Sequence, residues 1–202
     1  MSRNCGRLLT RFGVIWINSV PRRAFMQRVV VLGTSGSGKT TLARELSRRL
    51  RAPHIELDAL HWGDNWTGAE RSVFRQRVGD AIAQERWSLC GNYAAVRDLT
   101  LARADTIIWL DYSMTRVFTQ VFRRTIRRGI TRELLWGNNR ESLWINFFTR
   151  ESLLLWVINT WRRHRRDYPK LLSGETCRHA RVLRFRTPGE TAAWLSQLGP
   201  GL

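Results

Sequence analysis

The sequence predicts an α/β fold in three layers, a mostly parallel sheet with helices on both faces. Two observations carry this. Gly33-Thr34-Ser35-Gly36-Ser37-Gly38-Lys39-Thr40 fits G-x-x-x-x-G-K-[ST], the phosphate-binding P-loop, with a strand before it and a helix after it. Short apolar runs then alternate with amphipathic segments as far as Asp111, giving a βαβαβαβ unit.

Taken in order, Arg28-Val29-Val30-Val31-Leu32 is a β-branched run that reads as a buried strand. After the loop, Leu42, Leu46 and Leu50 stand four apart on one helical face. Glycines 33, 36 and 38 let the backbone approach a ligand closely, and the loop amides form an anion nest at a helix N-terminus. The expected phosphate contacts are Gly33, Thr34, Ser35, Gly36, Ser37, Gly38, Lys39, Thr40 and Thr41. Lys39 is placed to reach the β- and γ-phosphates of ATP, and the Thr40 hydroxyl to bind Mg²⁺.

Pro53 to Asp58 reads as a second strand with an acidic end, where ligands gather in a parallel sheet. Glu56 and Asp58, two apart, would share a face of it. Leu60, His61, Trp62 and Trp66 follow as a loop. Thr67-Gly68-Ala69-Glu70 reads as a capping box for a helix carrying Phe74, Val78 and Ile82. Trp87 to Cys90 is a third strand, Val96 to Ala102 a short helix, and Thr106 to Asp111 a fourth strand with an acidic end.

Beyond Ser113 the chain turns basic: residues 113–170 carry thirteen basic and four acidic side chains, a net +9, half of the +18 of the whole chain. Thr115 to Arg128 reads as a helix whose terminal Arg123, Arg124, Arg127 and Arg128 complement the macrodipole. Residues 129–149, polar and holding Arg132, Trp136, Gly137, Asn138, Asn139 and Arg140, read as a lid. A helix from about Arg150 to Tyr168, an alternating fifth strand Arg181–Phe185 and a helix opened by Thr187-Pro188-Gly189-Glu190 complete the domain.

The 202 residues suffice for one domain with a real core, here residues 26–202. Residues 1–25 carry five arginines and no acid, unlike the rest; they read as a disordered or mis-assigned extension, with Met26 as an alternative start. The longest apolar runs are too short to span a bilayer, so no membrane partner is expected. Cys5, Cys90 and Cys177 form no C-x-x-C pair and read as free thiols of a reducing, cytoplasmic compartment. All but two of the 34 basic residues are arginine, the exceptions being Lys39 and Lys170. Such a bias suits phosphate recognition, and a compositional drift toward arginine would produce it equally well.

With these segments in place, the chain resembles the nucleotide and small-metabolite kinases of the adenylate kinase and shikimate kinase type, and among them the bacterial adenylate-kinase-like proteins labelled DNA topology modulation proteins. The likeness rests on Gly33–Thr40, Leu57–Trp62, Gly91-Asn92-Tyr93 with Val96-Arg97-Asp98, Leu134–Glu141 and Arg165–Tyr168. It implies a three-layer P-loop NTPase fold with a five-stranded parallel sheet, order 2-3-1-4-5, and an α-helical basic lid. It further implies transfer of the ATP γ-phosphoryl to a small acceptor, a nucleoside monophosphate or a hydroxyl metabolite. By resemblance, Asp58 would bind or deprotonate the acceptor hydroxyl, Glu56 would join Thr40 in the metal shell, and Arg97, with Trp62, would touch the acceptor. Arg132 and Arg140 would close over the phosphoryl group, with Arg123 and Arg127 contributing. One departure stands out: relatives commonly carry Asp-Gly where this chain has Cys90-Gly91, and a thiol is a poor ligand for Mg²⁺. Two other readings stay open, a nucleic-acid-associated P-loop NTPase using ATP as a switch and an ATP binder with little turnover. The expected assembly is a monomer or homodimer.

Overall fold

The computed structural model of the chain describes residues 15–16, 26–131, 134–136, 139–140 and 153–198. At its centre is β2, Arg28–Gly33, whose side chains are buried on both faces. Val29 and Val31 enter one core cluster and Val30 and Leu32 the other, which is why the run is apolar without a polar alternation. Around it lie β3 (His54–Glu56), β4 (Trp87–Cys90), β5 (Thr106–Leu110) and β8 (Arg181–Phe185). They run parallel in the order β3-β4-β2-β5-β8, the expected 2-3-1-4-5 of a P-loop fold. A further two-residue strand, β1 (Ile15–Trp16), pairs antiparallel with Arg184 and Leu183 at the β8 edge; the rest of residues 1–25 lies outside the described residues.

The helices form the outer layers. On one face α1 (Lys39–Leu50) buries Leu42, Ala43, Leu46 and Leu50 with Val117 and Val121 of α5 (Met114–Thr131) and Trp194 of α7 (Pro188–Gln197). On the other, Leu57 of α2 (Leu57–His61), Phe74 and Val78 of α3 (Arg71–Ala81) and Leu101 of α4 (Arg97–Arg103) pack together. The long α6 (Leu153–Ser173) contributes Val157 to the first core and Tyr168 and Leu172 to the second.

Four boundaries differ from the sequence reading. The second strand stops at Glu56, and Leu57 to His61 is helical, so Asp58 and Leu60 sit on α2 rather than on a strand and a loop. The capping box at Thr67 is replaced by Glu70 as N-cap, whose carboxylate accepts from the Ser72 N–H. Thr67 instead closes the preceding 3₁₀ turn, donating its N–H to the Asp64 carbonyl at 3.1 Å. Helix α5 extends to Thr131, into the stretch read as lid, and β6 (Leu134–Leu135) pairs there with β7 (Asn139–Arg140). The last turn of α6 continues past Pro169 because it carries the fully buried Leu172. At α7 the reading holds in detail: Thr187 Oγ1 caps the Glu190 N–H, with Pro188 in the first turn.

The acidic end of β5 serves architecture. The Asp111 side chain is 1% exposed, accepts from Arg184 Nε at 3.0 Å and forms an ion pair with Arg165, whose Nε lies 3.1 Å away. Arg184 also lies 4.4 Å over the Trp109 ring, and Arg165 4.7 Å over Trp161. This carboxylate therefore ties α6 to the sheet edge. Removing it would leave two guanidinium groups without their acceptor, one of them largely buried. Asp111→Ala is expected to lower unfolding free energy by about 2–4 kcal/mol in urea titration, below the range for fully buried pairs because Arg165 is partly exposed.

Candidate functional site

The loop after β2 is shaped for an anion. Gly38 is the N-cap of α1 in a left-handed conformation, and no side chain caps the helix, which leaves its first amides for a ligand. The loop closes on itself: Ser37 N–H donates to the Thr34 carbonyl at 3.0 Å, and Lys39 Nζ donates to the same carbonyl at 3.0 Å. Gly36, at φ 80°, admits no side chain, since a Cβ there would stand 2.3 Å from Val121 Cγ2 of α5. That close approach seats the basic helix against the loop. Asn92 after β4 grips the other side, accepting from the Gly33 N–H at 3.4 Å and donating to its carbonyl.

Burial lowers the Lys39 ammonium from its ordinary value to about 8. The Asp58 charge opposes the drop, and the Arg124 charge adds to it. Thr40 Oγ1 donates to Glu56 Oε1 at 3.1 Å. Asp58 accepts a 2.6 Å hydrogen bond from Tyr93 Oη, whose own titration is pushed up by burial and then by the Asp58 charge. Cys90 Sγ lies 3.7 Å from Thr40 Oγ1, to which it donates, and 3.5 Å from His54 Nε2. Burial first and the Glu56 charge second push this thiol up to about 12, so it is a neutral group at physiological pH.

A cavity of about 580 Å³ gathers Lys39, Thr40, Glu56, Asp58, Arg124, Arg127, Arg128 and Trp136. Arg124 Nη2 also donates to Ser35 Oγ of the loop at 3.2 Å. A second, more open cavity of about 550 Å³ lies beside α1 and α7, lined by Gly38, Thr41, Tyr112, Gln120, Pro188 and Thr191. The two share Gly38, Thr41 and Arg44.

Of the residues singled out in the sequence, Ser35, Gly36, Gly38, Lys39, Thr40, Thr41, Glu56 and Asp58 line the main cavity, while Gly33, Thr34 and Ser37 do not. Asp58 arrives on a helix turn, held there because Gly91, at φ 144°, has no Cβ to clash with Leu57, which would lie 2.6 Å away. Trp62 and Arg97 lie outside the lining of the main cavity. Trp62 packs 5.7 Å from Trp66 and 4.7 Å from His61, and Arg97 stands 6.0 Å over the Tyr168 ring. Arg132 lies outside the described residues, as does the side chain of Arg140, whose backbone pairs with Leu134. Arg123 is exposed, while Arg124, Arg127 and Arg128 take the cavity. Their signal was the Arg124–Arg128 spacing of four, legible as a helix face but not as a direction.

Known proteins bear on this geometry. Residues 29–111 match the ATPase family associated with various cellular activities, AAA, a span running from the central strand to Asp111. An uncharacterized protein of Bacillus subtilis (strain 168), YqaC, is 28% identical over 104 residues, 48% of this chain; the chain spans 58% of that protein's length. Among solved structures, a shikimate kinase from Bacteroides thetaiotaomicron aligns over 86% of this chain and 97% of its own, at TM-score 0.53 and 15% identity. A gluconokinase from Sinorhizobium meliloti 1021 aligns over 87% and 95%, at TM-score 0.49 and 20% identity. The fold is the three-layer α/β P-loop fold, shared with the shikimate kinase structure. No helix among the described residues is long and apolar enough to cross a membrane.

Cys90 is 2% exposed and its thiol is raised to about 12, so it should resist alkylation. With iodoacetamide at pH 8, peptide mass mapping should find Cys90 unmodified in the folded protein and fully modified after denaturation. Labelling of Cys90 in the native state at the rate of a free thiol would contradict its placement.

Proposed function

We propose that the protein is an ATP-dependent phosphotransferase acting on a small acceptor through a hydroxyl or phosphate oxygen. One observation carries the reading: Lys39, the carboxylates Glu56 and Asp58, and three arginines of α5 face a single cavity at the P-loop. A generic phosphate cradle needs the lysine and the loop, while phosphoryl transfer also needs a group for the acceptor and cations for the moving charge.

In this reading ATP lies across the loop with its base in the cavity bounded by Tyr112, Gln120, Pro188 and Thr191. Lys39 and the loop amides hold the β- and γ-phosphates. Thr40 Oγ1 and Glu56 are hard oxygen donors 3.1 Å apart, which fits magnesium; the phosphates and water complete its shell. When bound, the ion neutralises charge on the β- and γ-phosphates. Asp58, oriented by the Tyr93 hydroxyl, accepts the proton of the attacking acceptor. Arg124, Arg127 and Arg128 stabilise the oxygens of the transferring group. Cys90 is a neutral spacer beside Thr40 and takes no part in the metal shell. The resemblance to adenylate-kinase-like proteins favours a nucleoside monophosphate as acceptor, and the Asp58 position favours a hydroxyl metabolite; an acceptor screen distinguishes them.

The test is ADP release from ATP and magnesium against a panel of nucleoside monophosphates and hydroxyl metabolites, with Lys39→Ala as control. One acceptor should stimulate release, and Lys39→Ala should abolish it. Asp58→Asn should then lower kcat by about 10²–10⁴-fold, the usual contribution of a positioned base, with little change in ATP affinity. A panel without any stimulating acceptor would favour the switch or binding-only readings over transfer.

A further inference from the structure

Asn139 sits in β7, in a hairpin whose strands are two residues long, yet it is 4% exposed. A buried carboxamide has one acceptor and two donors to place. Asn139 places all of them on backbone: Oδ1 accepts from the Trp66 N–H at 2.7 Å, and Nδ2 donates to the Gly63 carbonyl at 2.8 Å and to the Trp136 carbonyl.

Those partners belong to two separate segments, of which only Trp136 lines the site. Gly63 and Trp66 bracket the turn that follows α2, the helix carrying Asp58. Within it Asn65 and Trp66 hold successive positive φ angles of 54° and 56°, a region that L-residues avoid and that needs outside restraint. The turn supplies part of that restraint through Gly63 N–H to the Thr67 carbonyl, 2.8 Å, and Thr67 N–H to the Asp64 carbonyl, 3.1 Å. The Trp66 N–H and the Gly63 carbonyl are met by Asn139. On its other side, Asn139 holds the backbone of Trp136, which lines the cavity with Lys39 and Asp58.

We propose that Asn139 is a positioning residue that locks the β6–β7 hairpin to the turn after α2. The cavity wall carrying Trp136 and the neighbouring turn carrying Trp62 and Trp66 then shift as one body when a polyphosphate engages the loop and the α5 arginines. The coupling to nucleotide rests on the phosphotransfer reading above; the lock itself does not. Its chemistry is that of a carboxamide: aspartate keeps the acceptor for Trp66 but loses both donors and sets a charge beside two carbonyls, and alanine loses all three bonds.

Amide hydrogen exchange of the full chain tests this, with magnesium and the non-hydrolysable analogue AMP-PNP as the probe. In the free protein the Trp66 amide should be protected. Asn139→Ala should speed its exchange about tenfold or more, with β2 and β5 unchanged, since local opening then lacks its main restraint. Asn139→Asp should accelerate it less, and gives the same contrast should the alanine variant fail to fold. Adding the probe should slow residues 61–69 in the native protein but not in Asn139→Ala, while residues 35–40 slow in both. Unchanged Trp66 exchange in both variants would overturn the lock, and nucleotide protection of 61–69 that survives Asn139→Ala would overturn the coupling. Absence of probe protection at 35–40 in the native protein would instead count against the nucleotide reading, with the free-protein comparison still deciding the lock.

Discussion

The site is organised by one half-buried cation. The Lys39 ammonium is folded back onto the carbonyl of Thr34, beside a helix N-terminus that no side chain caps, and burial takes its titration down to about 8. Charge held in such a place is costly unless it is compensated. Asp58 is the strongest of the groups that raise it again, and it reaches the site through α2, the Gly91 notch and the Tyr93 hydroxyl. Arg124 works in the opposite direction, and α5 can bring it close because Gly36 has no side chain. Each element around the cavity thus adds charge or removes bulk where a polyphosphate would settle the balance.

Much of the fold was legible because its signals are local. Two-sided burial makes β2 and β5 continuous apolar runs, and the P-loop needs its glycines and lysine in fixed register, so both read directly from the chain. What failed were boundaries set by competition between neighbours. Asp58 was placed at the right spot through the wrong element, because a three-residue strand leaves little periodicity to show where it ends. The Thr67 capping box matched a pattern, but the turn at Asp64–Trp66 claimed Thr67 and left Glu70 to cap α3.

The site residues divide in the same way. Arginines at the end of α5 look alike in sequence; only the seating of Val117 and Val121 in the core decides that 124 and 128 turn toward the loop while 123 faces out. Asn139 could not be found at all without the fold, because its partners Gly63 and Trp66 lie more than seventy residues earlier in the chain. In the sequence Cys90 read as a poor ligand for Mg²⁺. The structure shows its thiol buried and neutral, with Glu56 the carboxylate in contact with Thr40.

The central claim is that Lys39 waits, partly discharged, for a polyphosphate. Calorimetry of magnesium–ATP binding at pH 8 in buffers of different ionisation heat measures it directly. The account predicts uptake of about half a proton per bound nucleotide, because a group half protonated near pH 8 becomes fully charged against phosphate. The uptake should fade toward pH 6.5 and vanish at pH 8 in Lys39→Met. Binding at pH 8 with no proton uptake, or an uptake that Lys39→Met retains, would contradict it.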